Sequence, residues 1–134
     1  MVLGGDGMGP WVKGIDAITL FVDDLAAAQA FYLEVFDLPL HYEDPNSAVF
    51  KFGETVINLL DVSHADELVA PAPVGSAADG ARAVFTIAVD DVDAMCETLR
   101  ARGVELLNGP MDRPWGIRTA SFRDPGGLIW EIAK

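Results

Sequence analysis

Thr19-Leu20-Phe21-Val22-Asp23-Asp24-Leu25-Ala26-Ala27 and Thr86-Ile87-Ala88-Val89-Asp90-Asp91-Val92-Asp93-Ala94 are one pattern written twice, 67 positions apart. Five of the nine positions are identical, and Leu20/Ile87 and Leu25/Val92 are conservative pairs. In each copy apolar residues alternate, as in a strand with one buried face, and stop at a pair of aspartates suited to cap a helix. After the first copy, Leu25, Ala28, Tyr32, Val35 and Phe36 fall on one helical stripe, which Pro39 limits. After the second, Val92, Met95, Cys96 and Leu99 do the same, and Gly103 marks the end. Cys96 on that buried stripe reads as a structural thiol.

Working outward, each helix precedes three short strand-like runs. In the first half these are Leu38 to Glu43, Ala48 to Phe52 and Thr55 to Asp61, with turns at Asp44-Pro45-Asn46 and Gly53-Glu54. In the second they are Val104 to Leu107, Ile117 to Arg123 and Leu128 to Ala133, with a tight turn at Asp124-Pro125-Gly126-Gly127. Ala48-Val49-Phe50-Lys51 matches Ala120-Ser121-Phe122-Arg123 at an offset of 72, and a one-residue slip at the next turn pairs Asn58 with Glu131. The chain therefore reads as one α+β domain over residues 1–134, built from two tandem βαβββ modules. Their bounds are about 15–62 and 81–134, joined by a linker at about 63–80 that lacks a clear period and carries Pro71, Pro73, Gly75 and Gly80.

Composition agrees with a globular domain. The 134 residues are 51% hydrophobic and 22% charged, enough to bury a core unaided. A single cysteine excludes an internal disulfide, and the opening Met1 to Pro10 has no basic or apolar run, so it reads as a flexible leader. With no 18-residue apolar stretch, the expectation is a cytoplasmic protein. The formal charge of −12 repels nucleic acid and anionic membrane; it either serves solubility or attracts a cationic small molecule.

Several strings, in this order, resemble the vicinal-oxygen-chelate (glyoxalase/bleomycin-resistance/dioxygenase-like) superfamily. They are Ile18 to Leu25, Phe31-Tyr32, Val89 to Asp93, Arg102-Gly103-Val104, Pro114-Trp115-Gly116, Phe122 to Gly127 and Ile129 to Ile132. The resemblance implies a curved eight-strand cup with helices on its outer face, commonly completed as a homodimer with sites near the interface. Its members range from glyoxalase I and extradiol dioxygenases to metal-free bleomycin-binding proteins, so fold leaves function open.

The family's metal-ligand positions fall on Ala17, Asn58, Val84 and Glu131, and the internal repeat independently maps Ala17 onto Val84. One carboxylate and one amide are too few donors for a zinc, nickel or iron site. No metal or other cofactor is expected, and His41 and His64 read as surface groups away from the cup. Strand parity places Ala17, Thr19, Phe21, Val56, Asn58 and Leu60 on the inner face with Val84, Thr86, Ala88 and Glu131. Leu128, Trp130 and Ile132 then pack under the helices.

Expected ligand contacts are Glu131, Asn58, Trp115, Phe21, Thr19, Thr86, Leu60 and Arg118. Trp115 is either an aromatic wall or a packing residue at the rim. Glu131 is either an acid–base group or cation anchor, or the partner of Arg118 or Arg123 in a salt bridge; Arg113 and Arg118 could instead receive an anion. The leading reading is a metal-independent protein that sequesters a small organic molecule, such as a basic or aromatic antibiotic. The alternative is a glyoxalase-like lyase or isomerase that uses Glu131 as acid or base.

Overall fold

A computed structural model describes residues 11–134, so the leader expected over Met1 to Pro10 lies outside the described residues. In chain order the elements are β1 (Ala17–Val22), α1 (Leu25–Glu34), β2 (Tyr42–Asp44), β3 (Ser47–Phe52), β4 (Thr55–Asp61), a short α2 (Asp66–Val69), β5 (Val84–Ala88), α3 (Val92–Ala101), β6 (Leu106–Asp112), β7 (Arg118–Arg123) and β8 (Ile129–Ala133). The repeated aspartates act alike in both halves. Asp24 Oδ1 accepts from Ala27 N, and Asp91 Oδ1 from Ala94 N, each at 3.0 Å. Each carboxylate satisfies an orphan donor of the first turn, so the chain turns from strand to helix at the same place twice.

The strands form two four-stranded sheets of equivalent order, β1-β4-β3-β2 and β5-β8-β7-β6. In each the first strand runs parallel to the last, placing Thr19 opposite Asn58 and Thr86 opposite Glu131. Antiparallel neighbours add Val49 opposite Asn58 and Ser121 opposite Glu131. These registers reproduce the repeat with its one-residue slip, and the two βαβββ modules stand as expected.

Three segments differ from the expected elements. The run Leu38 to Glu43 is mostly irregular: Asp37 sits at φ 56° and Pro39 removes a donor, so only Tyr42–Asp44 pairs. β6 starts later and runs longer than Val104 to Leu107 because Asn108-Gly109-Pro110 is absorbed as a shift of register inside the strand. Glycine is required there. At φ 82° a Cβ on Gly109 would lie 2.4 Å from the Thr119 carbonyl oxygen. The linker also holds 3₁₀ turns at Val62–His64 and Ala77–Asp79 besides α2.

One core joins both modules. Val22, Ala28, Tyr32, Phe50, Ile57 and Leu59 from the first half cluster with Cys96, Leu99, Phe122, Trp130 and Ile132 from the second. Phe52 stacks on Trp130 at 5.0 Å, while Phe36 packs against the same indole at 4.8 Å. As expected, Trp130 and Ile132 pack beneath helices, but α1 serves both sheets, touching Phe50 of its own and Phe122 and Trp130 of the other. The helix-bearing sides of the two sheets thus meet, which leaves the sides carrying Asn58 and Glu131 outside this shared core.

The junction is locked by a buried carboxylate. Asp124 Oδ2 accepts from Tyr32 Oη at 2.8 Å and from Trp130 Nε1 at 3.1 Å, and its Oδ1 accepts from Gly126 N and Leu128 N. Burial, then the Asp124 charge and its hydrogen bond, push the Tyr32 phenol well above its ordinary 10.0. A raised folded pKa means that this stability is intact below pH 10 and lost as pH rises beyond it, at roughly 1.4 kcal/mol per pH unit. Tyr32→Phe should cost about 1.5–3 kcal/mol at neutral pH and flatten that alkaline slope. Urea midpoints measured from pH 7 to 11 test both; an unchanged slope would show that Tyr32 does not carry it.

Candidate functional site

The residues predicted to line a cup are distributed over two sheet faces. On the second sheet, Thr86 Oγ1 donates to Glu131 Oε1 at 3.0 Å. Sheet parity sets Val84, Thr119, Ser121 and Met111 on the same side, because Ser121 lies opposite Glu131 and Met111 opposite Thr119. Val84 and Met111 are exposed, so the Thr86–Glu131 pair sits in a partly apolar, solvent-facing surface.

Arg113 fixes the rim of that surface. Its Nε donates to the buried Thr119 Oγ1 at 2.8 Å and its Nη2 to Asn108 Oδ1 at 3.3 Å. The Arg113 guanidinium carbon lies 5.9 Å from the centre of the Trp115 ring. Trp115 is 68% exposed. It is therefore a rim aromatic beside the Glu131 face rather than a packed core residue. Asn108 and Met111 were not singled out in the sequence, where the strand was expected to end at Leu107.

Arg118 is committed elsewhere. It grips Asp93 through Nε and Nη2 at 3.0 and 2.9 Å and reaches Asp112 Oδ1 at 3.0 Å. Its hydrogen bonds hold Asp93 below the usual carboxylate range. Of the two readings of Glu131, the salt bridge to Arg118 or Arg123 is absent among the described residues, and Glu131 accepts from Thr86 instead. Arg118, already paired with two carboxylates, is a poor receiver for an anionic ligand. The Cys96 thiol, fully buried and pushed up by desolvation, suits the structural part expected of it.

On the first sheet, Asn58 and Leu60 line a hollow of about 290 Å³ with Ser47, Asp44, His64 and Glu67. The turn at Val62–His64 brings His64 beside Asn58, contrary to the expectation that it lies away from this face. His64 Nδ1 is 3.3 Å from Glu67 Oε1. Asn58 Oδ1 is buried without a hydrogen-bond partner among the described residues. Thr19 and Phe21 line a separate hollow with Gly75 to Ala77 and Gly126 to Leu128. Asn58 and Glu131 share none of the four cavities described in one chain.

The donor set does not fit a transition metal. Ala17 and Val84 occupy the two positions where the resemblance calls for nitrogen ligands, and no group of three or more His, Cys, Asp and Glu converges among the described residues. A second copy would bring the same four side chains, so assembly alone supplies no further donor at these positions.

The family model of the Glyoxalase/Bleomycin resistance protein/Dioxygenase superfamily matches residues 14–132. A crystal structure of a glyoxalase/bleomycin resistance protein/dioxygenase from Nocardioides has a TM-score of 0.82 at 27% identity, covering 94% of this chain and 85% of that one. A lactoylglutathione lyase from Agrobacterium tumefaciens has a TM-score of 0.72 at 27% identity, over 91% and 93% of the two chains. The antibiotic binding protein TnmS3 from Streptomyces sp. CB03234 has a TM-score of 0.67 at 27% identity, over 92% and 96%.

If a homodimer sets the Asn58 face of one protomer against the Glu131 face of its partner, histidine at both 17 and 84 should raise zinc and nickel affinity by at least a hundredfold, because two imidazoles would then join Asn58 and Glu131. Competition with a chromogenic chelator measures this. A double variant no tighter than the native chain would show that the four positions never converge.

Proposed function

We propose that this chain, which belongs to the Glyoxalase/Bleomycin resistance protein/Dioxygenase superfamily, is a metal-independent binding protein that sequesters a small basic or aromatic molecule. The observation that carries this reading is the replacement of both nitrogen-ligand positions by Ala17 and Val84 while the Glu131 carboxylate remains. Glu131, oriented by Thr86, supplies an anionic anchor, and Val84, Met111 and Trp115 supply apolar and aromatic surface beside it. Such a mixture of apolar wall and few polar anchors suits a small organic ligand. The charge of −12 favours a cationic one. A related fold in an antibiotic binding protein is in keeping with this choice.

The site reaches full depth in a homodimer, in which the Asn58 face of one protomer is set against the Glu131 face of its partner. Both faces lie outside the protomer's own core, and an exposed sheet surface bearing Val84 gains by being covered. The alternative, a lyase or isomerase using Glu131 as acid or base, is favoured by the lactoylglutathione lyase neighbour. Glu131→Gln separates the two. In a binder it should weaken calorimetric affinity for bleomycin, used as the basic aromatic probe, about tenfold through loss of one charge-assisted contact. In an enzyme it would leave affinity intact and abolish lactoylglutathione turnover. Sedimentation at micromolar concentration should give a dimer, and a clean monomer would remove the shared cup.

A further inference from the structure

The largest of the four cavities described lies between the modules, on the side of the sheets opposite Glu131. It measures about 550 Å³. Phe52 and Ile57 of the first sheet, Phe85 and Trp130 of the second, and Met95 and Leu99 of α3 form its walls. Packed interiors keep few voids larger than a water molecule, whereas ligand pockets measure about 300–1,000 Å³. This cavity falls in the second class.

Its location follows from a break in the internal repeat. The offsets of 67 and 72 map Tyr32 onto Leu99 and Asp124 onto Phe52. Where one junction between the modules is closed by the Tyr32–Asp124 hydrogen bond, the equivalent junction has two apolar side chains, and both line the cavity. Neither side chain can form a hydrogen bond like that between Tyr32 and Asp124, so no equivalent lock closes that side.

Arg102 is the one charged residue in the cavity lining. Its Nη1 donates to Val35 O at 2.6 Å, which fixes the guanidinium at the end of α1 and uses one of its five N–H donors. Its Nε and Nη2 have no partner among the described residues. In a chain of charge −12, a held cation beside an apolar chamber selects the sign of what enters.

We propose that this inter-module cavity is a second ligand site, separate from the Glu131 face, that takes an apolar molecule carrying one carboxylate, its chain or rings against Trp130 and Leu99 and its carboxylate on Arg102. Dodecanoate is the probe, and dodecylammonium its charge-reversed counterpart. Isothermal titration of the intact protein should give saturable one-to-one binding of dodecanoate and none of dodecylammonium. Arg102→Gln, at an exposed position, should weaken dodecanoate roughly tenfold or more, leaving affinity for a ligand of the Glu131 face unchanged. Thr55→Trp, which places an indole inside the lining, should abolish dodecanoate binding, with circular dichroism verifying the fold of both variants. Equal uptake of both amphiphiles, or dodecanoate affinity indifferent to both substitutions, would mean detergent-like adsorption and overturn the proposal, as would no binding at all.

Discussion

The arrangement of the two modules depends on the Asp124 carboxylate. A buried charge is costly unless its lone pairs are met by donors. Here two come from the backbone of its own turn, at Gly126 and Leu128, one from Trp130 on the next strand, and one from Tyr32 on the first module's helix. The first three are local and fix the β7–β8 turn. The fourth reaches across 92 positions of sequence, so α1 must lie against the second sheet for the charge to be satisfied. Phe36, Phe52 and Trp130 then interlock around that contact.

From this follows the placement of function. With much of each helix-bearing side taken up by the inter-module core, Asn58 and Glu131 are carried on the other side. They occupy equivalent points on those outer sides, each opposite a threonine in a parallel ladder. Their equivalence is geometric while their chemistry has parted. Glu131 has Thr86 as donor, whereas Asn58 Oδ1 is buried without one among the described residues. Two copies of one backbone plan therefore present two different surfaces.

Much of this was legible in the sequence because repetition and periodicity are local signals. The Asp24 and Asp91 caps, the stripes of α1 and α3, and the slip that pairs Asn58 with Glu131 all follow from residue type and spacing. What could not be read was set by contacts between distant segments. Asn108-Gly109-Pro110 has the composition of a turn, yet the neighbouring strand at Thr119 and Ala120 approaches so closely that the segment is held within the sheet. Arg118 has the appearance of a free rim cation until Asp93, 25 positions away, is found against it. His64 lay in a stretch without periodicity, and only the fold of the 3₁₀ turn brings it to Asn58.

The surroundings of Glu131 bear on what it can do. A general base needs a proton to take within hydrogen-bond reach and a pKa near the working pH, the second usually obtained by burial or a neighbouring like charge. Glu131 is only partly buried, and the hydrogen bond it makes among the described residues comes from the Thr86 hydroxyl, which donates to the carboxylate. Arg113, tied to the same face, is engaged by Thr119, Asn108 and the face of Trp115. A carboxylate that accepts from Thr86 on a face with exposed Val84 and Trp115 offers the groups that the proposed binding of a basic aromatic molecule calls for.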